Sequence, residues 1–124
     1  MRVALVTVGD EILAGETVNT NAAWLGRQLT AAGAIVERMA TVPDRVSDIA
    51  RVVNEFRAEY DAVITTGGLG PTHDDLTMEA VAAAFGTDLA HDEAVTEWLD
   101  ESGYSGDLAP GTTHIPERAE MLPN

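Results

Sequence analysis

The stretch RVALVTVG, residues 2 to 9, is apolar almost without interruption, rich in valine and closed by a glycine. A strand with one wet face alternates polar and apolar residues. This one does not alternate, which suits a strand buried on both faces, as in a parallel sheet. The rest of the chain reads as the alternation such a sheet requires. NAAWLGRQLTAAG predicts a helix, with Asn21 as N-cap, Ala22, Leu25, Leu29 and Ala32 at helical spacing, and Gly33 as the stop. AIVERMATV, residues 34 to 42, returns to β-type residues before Pro43, and a second helix begins at Asp44. Its seam is Val46, Ile49, Val53, Phe56 and Tyr60. DAVITT, residues 61 to 66, predicts a third short strand.

A helix follows with Met78, Val81, Ala82 and Phe85 on one face and Gly86 at its end. Another spans about Glu93 to Ser102, carries Val95, Trp98 and Leu99, and stops at Gly103. The last twenty residues read as irregular, with one short strand near Ala119 to Leu122. The expected fold is therefore α/β: three layers, α/β/α, around a mostly parallel sheet, in a single domain over residues 1–124.

In such a sheet the strands point their carboxyl ends the same way, and ligands bind in the crevice there. Two loops leave strands at that edge with polar residues: GDEILAGETVNTN after the first and GGLGPTHDDLT after the third. The second combines three glycines, Gly67, Gly68 and Gly70, with the acidic pair Asp74 and Asp75. Glycine N–H groups before a helix N-terminus suit an anion, which makes two carboxylates beside them a puzzle. One answer is helix capping. Thr77, directly before the apolar seam, is itself a good N-cap, so capping does not readily explain both aspartates. The other answer is a hard divalent cation such as Mg²⁺ bridging carboxylate and phosphate. Asp10 and Glu11 add a second acidic pair to the same rim. On the residues alone both readings stay open.

Other side chains give weaker signals. His73 reads as a solvent-facing loop residue or a phosphate or metal orienter. His91 and His114 have no ligand-like spacing. Asn19 and Asn21 cap their helix or touch a ligand, and Ser47 and Ser102 have no base at readable spacing. Trp24 falls off the Leu25 face, towards a partner or a second layer, while Trp98 reads as core.

Composition narrows the classes. There is no cysteine, which excludes disulfides, thiolate-bound zinc and thiol catalysis. Seven arginines and no lysine face 21 acidic residues, a net charge of −14. The acids are scattered among 45% apolar residues, so a globular fold is expected rather than disorder. The balance argues against nucleic-acid binding and for a halophilic surface. With no apolar run near the ~20 residues of a membrane span and no signal-peptide leader, a soluble cytoplasmic protein without membrane contact is expected.

GDEILAGETVNTNAAWL and TTGGLGPTHDDLTMEAVAAAFG, in this order and about fifty-five residues apart, resemble the molybdopterin-binding domain family of molybdenum cofactor biosynthesis. Leu69 and the Asp74–Asp75 pair are closer to the branch formed by the N-terminal domain of the competence/damage-inducible protein CinA. The adenylyltransferase branch more usually has threonine and arginine at the positions of Leu69 and Asp74. The resemblance implies that Asp10 and Asp75 are the functional acids. Gly9, Thr66, Gly67, Gly68, Gly70 and Thr77 would line the ligand, with Asp10, Asp74 and Asp75 on a divalent metal, Mg²⁺ or similar. It implies a nucleotide or pterin phosphate as the small-molecule partner, with molybdopterin or ATP among the candidates, and a homo-oligomer. The activity expected is hydrolysis of a nucleotide diphosphate such as ADP-ribose. The alternatives are molybdopterin adenylylation and a non-catalytic nucleotide-sensing module. HIPERAEMLPN resembles the segment before the family's last loop and strand, so a chain truncated at its C-terminal end is expected.

Overall fold

A computed structural model describes residues 1–70, 72–101 and 114–122. Three parallel strands form the main sheet in the order β2-β1-β3: β1 (Arg2–Val8), β2 (Ile35–Val42) and β3 (Ala62–Thr66). The apolar run is the central strand. Val3, Ala4, Leu5, Val6 and Val8 are all at most 3% exposed, as burial on both faces requires.

Its two faces go to different layers. Ala4, Val6 and Val8 pack with Ile49, Val53 and Phe56 of α3 (Val46–Glu59) and with Ala80 and Ala84 of α4 (Thr77–Ala84). On α3 the predicted seam holds: Ile49, Val53 and Phe56 are buried, and Val46 and Tyr60 pack against them. Thr7, on the opposite face, accepts a hydrogen bond from Asn19 Nδ2 at 2.9 Å. Asn19 also caps α2 (Thr20–Ala31), its Oδ1 accepting from the Ala22 N–H at 3.3 Å. The helix thus begins two residues earlier than the Asn21 cap predicts. Asn19 can do both jobs because it lies under the end of β1. Gly33 ends α2 as expected: at φ 94 its N–H bonds the Thr30 carbonyl, and Ala34 bonds Leu29.

Several expectations need correction. Residues 10–13 form a short helix, α1 (Asp10–Leu13), rather than open loop. On α4 the buried residues are Thr77, Ala80, Ala82 and Ala84, whereas Met78 and Phe85 of the predicted seam are 36% and 52% exposed. Phe85 is covered instead by the Arg57 guanidinium, 4.3 Å from its ring centre. Thr77 is the first helical residue and not the cap; Leu76 holds that position and gives no side-chain cap. Neither aspartate caps α4.

A two-stranded antiparallel ladder, β4 (Leu89–His91) with β5 (His114–Pro116), replaces the strand expected at Ala119 to Leu122. It sets His91 opposite His114, ring centres 5.5 Å apart, two residues whose spacing gave no hint of contact. Between them runs α5 (Glu93–Glu101), with Leu99 buried and Trp98 half-buried; the predicted stop at Gly103 lies outside the described residues. No helix among the described residues is long and apolar enough to cross a membrane.

Among the described residues, few of the acids pair with arginine. The pairs are Arg2–Glu37, Arg45–Asp48 and Arg51–Asp48. The first is two-pronged, at 2.9 and 2.8 Å, and its hydrogen bond draws the Glu37 carboxyl below its ordinary range. A net charge of −14 therefore leaves substantial self-repulsion, which falls as the Debye length shrinks from about 10 Å at 0.1 M salt to about 3 Å at 1 M. Thermal melts from 0.1 to 3 M KCl are expected to rise steadily, by about 4–8 °C for each kcal/mol regained. A flat series would end the halophilic reading.

Candidate functional site

The strand order puts a switch point at β1 and β3. From β1 the chain moves to one side to form β2, then crosses back to form β3 on the other side. Connections diverge there, leaving a crevice at the carboxyl edge. Register makes the edge level: Val8 pairs with Val42, and Thr7 with Thr66. Gly9, Pro43 and Gly67 therefore leave the sheet together.

The β3 loop is held tightly against β1. Gly67 has φ 88 and Gly68 φ 67, the left-handed region that favours glycine. Close approach adds to this, because a Cβ on Gly67 would overlap the Val8 carbonyl oxygen and one on Gly68 would overlap Thr77 Oγ1. Thr77, at 1% exposure, holds the loop from behind. Its hydroxyl donates to the Gly67 carbonyl at 2.7 Å and its N–H to the Gly68 carbonyl at 3.1 Å. Thr77, expected at the ligand, is thus also a buttress of this loop. Among the described residues, nothing accepts from the N–H of Gly67 or Gly68. Two donors stay open ahead of a helix N-terminus.

Asp75 organises the second half of the loop. Its Oδ2 accepts from the Thr72 N–H at 2.9 Å and the Thr72 hydroxyl at 2.7 Å, while its own N–H donates to the Thr72 carbonyl at 3.1 Å. A Cβ on Gly70 would lie 2.7 Å from the same oxygen, so the glycine lets the carboxylate come close. Burial pushes the Asp75 carboxyl up. Hydrogen bonds from the Thr72 hydroxyl, the Thr72 N–H and the Gly70 N–H outweigh it and hold the group below its ordinary value. The carboxylate is therefore ionised at neutral pH. Its contribution to stability is present above the unfolded value of 3.8 and is lost as pH falls through the lower folded value. Asp74 and His73, beside it, are exposed.

On the β1 side, the Gly9 N–H continues the ladder to the Val42 carbonyl at 3.0 Å, so it is engaged. Asp10 meets Asp44, which the sequence predicts only as a helix start. Its Oδ1 accepts from the Asp44 N–H and its N–H donates to Asp44 Oδ2, both at 3.1 Å. The two carboxylates are locked side by side at the edge, each held by the other's backbone. The position of Asp44 two residues after the predicted second strand is the available signal, since every strand's carboxyl end in a parallel sheet reaches this edge.

The carboxylate oxygens here are hard ligands that suit Mg²⁺ and not a thiophilic metal, while the open N–H groups suit an anion. Among the described residues, no three His, Asp or Glu side chains gather closely enough to hold a metal by themselves. Asp10, Asp74 and Asp75 are therefore not a preassembled cage. The fit is to a cation that takes one or two carboxylates and completes its shell with phosphate and water. An open recess of about 710 Å³ lies elsewhere, between α2 and β2, lined by Ala23, Gly26, Arg27, Val36 and Met39. Trp24 and Ile35 are exposed on the same two elements. The one carboxylate lining the recess, Glu37, is engaged by Arg2, whereas the switch point sets open N–H groups beside acidic residues and is the candidate site.

Residues 4–116 match the family described as a probable molybdopterin binding domain. A CinA-like protein of Citrifermentans bemidjiense is 44% identical over 129 aligned residues, covering all of this chain and 31% of its own. The crystal structure of the protein CinA from Thermoplasma acidophilum is 39% identical with a TM-score of 0.85, over 94% of this chain and 70% of that one. The tungsten cofactor synthesizing protein MoaB from Pyrococcus furiosus is 26% identical with a TM-score of 0.64, over 83% and 65%. The chain spans between 31% and 54% of the length of the first curated relatives it matches.

Proposed function

Since the chain belongs to the probable molybdopterin binding domain family, we propose that its switch-point edge binds a nucleotide or pterin phosphate with a divalent cation and hydrolyses a nucleotide diphosphate of the ADP-ribose kind. The observation that carries this is the Gly67–Gly68 pair, pinned against Val8 with open N–H groups and followed in the same loop by the ionised Asp75 carboxylate. The amides receive phosphate oxygens, with the first turn of α4 adding positive partial charge. Asp75 keeps the loop in the shape that presents them and contributes the charge of its ionised carboxylate to the cation. Asp10 and Asp44 supply negative charge where a cation would sit, and their reciprocal hydrogen bonds fix its position before ligand arrives. A bound cation would neutralise phosphate charge and help activate the attacking water.

Adenylylation of molybdopterin is the second reading, favoured by the likeness to the tungsten cofactor synthesizing protein. The same edge would then hold ATP. Release of AMP from ADP-ribose in Mg²⁺, abolished by EDTA, is the expected outcome. Mg-dependent consumption of ATP only when molybdopterin is present would select the second reading. Metal-dependent binding of ADP-ribose without turnover would leave a sensing module.

A further inference from the structure

Leu69 is the one side chain beyond a hydrogen atom in the segment Gly67 to Gly70, and it is 53% exposed. A single exposed leucine is ordinary. Here the backbone on either side of it is fixed. Upstream, Thr77 holds the carbonyls of Gly67 and Gly68. Downstream, Asp75 lies against Gly70 and binds Thr72. The leucine cannot fold inward without breaking those bonds, so the loop presents it to solvent beside its open N–H groups. Leu13 of α1, on the segment that leaves β1 at this edge, is likewise 53% exposed.

The rim thus offers two chemistries. Amides and carboxylates suit a phosphate with its cation; an apolar side chain suits neither. Free phosphate or pyrophosphate would use only the first. A ligand that uses both has a flat, weakly polar ring system attached to its phosphate, as in a nucleoside diphosphate. We propose that Leu69 is a specificity-determining residue, packing against the heterocycle of the ligand whose phosphate the Gly67–Gly70 loop holds. This rests on the phosphate-binding reading of the same edge.

Two probes separate the contributions: ADP-ribose and inorganic pyrophosphate, each titrated calorimetrically in Mg²⁺ into wild type, Leu69→Ala and Leu69→Met. Leu69→Ala is expected to weaken ADP-ribose roughly tenfold, the low end for losing apolar contact in a pocket. Pyrophosphate should change less than about twofold, and Leu69→Met should restore ADP-ribose, because its side chain is of similar volume and equally apolar. Equal weakening of both probes would mean that Leu69 acts through loop shape, and no weakening would mean that it touches no ligand. Either overturns the proposal. If wild type binds pyrophosphate but not ADP-ribose, the phosphate site stands and the Leu69 proposal falls. If it binds neither, both fall.

Discussion

Replacing Gly67 with alanine is expected to cost about 4 kcal/mol or more, among the largest single-residue effects in this chain. Two penalties add. A non-glycine residue at φ 88 costs roughly 1–2 kcal/mol by steric crowding alone. The new methyl would also overlap the Val8 carbonyl oxygen, which belongs to the most buried strand and cannot retreat. The loop would have to lift from β1, breaking the Thr77 hydroxyl bond to the Gly67 carbonyl. For a domain whose total stability is about 5–15 kcal/mol, the melting temperature should drop by roughly 15–30 °C. Gly33 and Gly86 are the controls. Their φ values, 94 and 63, are equally left-handed, but a Cβ at either meets nothing within 4 Å. Alanine there should cost only the conformational part, about 1–2 kcal/mol. Equal drops at all three positions would show that close packing at Gly67 contributes nothing.

The second large effect is on ligand binding. Asp75→Asn retains size and one acceptor oxygen, so the bonds from Thr72 can largely survive and the melting temperature should move by only a few degrees. What goes is the charge. If an ionised carboxylate at this position serves a cation–phosphate pair, binding should fall roughly 10²-fold, the scale of removing one preorganised electrostatic contact. Asp75→Ala should lose the loop geometry as well and be no better. The two substitutions separate the roles that the structure gives this residue: asparagine tests charge, alanine tests charge and shape together. A purely structural Asp75 would be rescued by asparagine.

Much of this arrangement is legible in the sequence because it depends on periodicity. The nearly continuous apolar run dictates a parallel strand buried on both faces, and the seam from Val46 to Tyr60 dictates a helix. Both are long enough for local pattern to decide. The β4–β5 ladder is not, because three-residue strands carry no period and their partners lie over twenty residues apart. The face of α4 misleads for another reason: alanines are small enough to pack against α3, while Phe85 is satisfied at the surface by Arg57. At the site, residue types announced the glycine loop and its acids. Partnerships did not follow from them. Thr77 has the chemistry of a cap or a ligand contact, and only tertiary position makes it a buttress. Asp44 reads as the start of a helix until the register of β2 delivers it to Asp10.

On the proposed reading, this edge holds a phosphate through a cation and not through the glycine loop alone. Calorimetric titration of ADP-ribose into wild type and Asp75→Asn, each in Mg²⁺ and then in EDTA, tests it most directly. The prediction is tight binding only for wild type with Mg²⁺, with EDTA and the substitution each removing most of the affinity and little further loss when they are combined, because both remove one interaction. Equal affinity in all four titrations would contradict the claim and leave Asp75 as a residue that only shapes a turn.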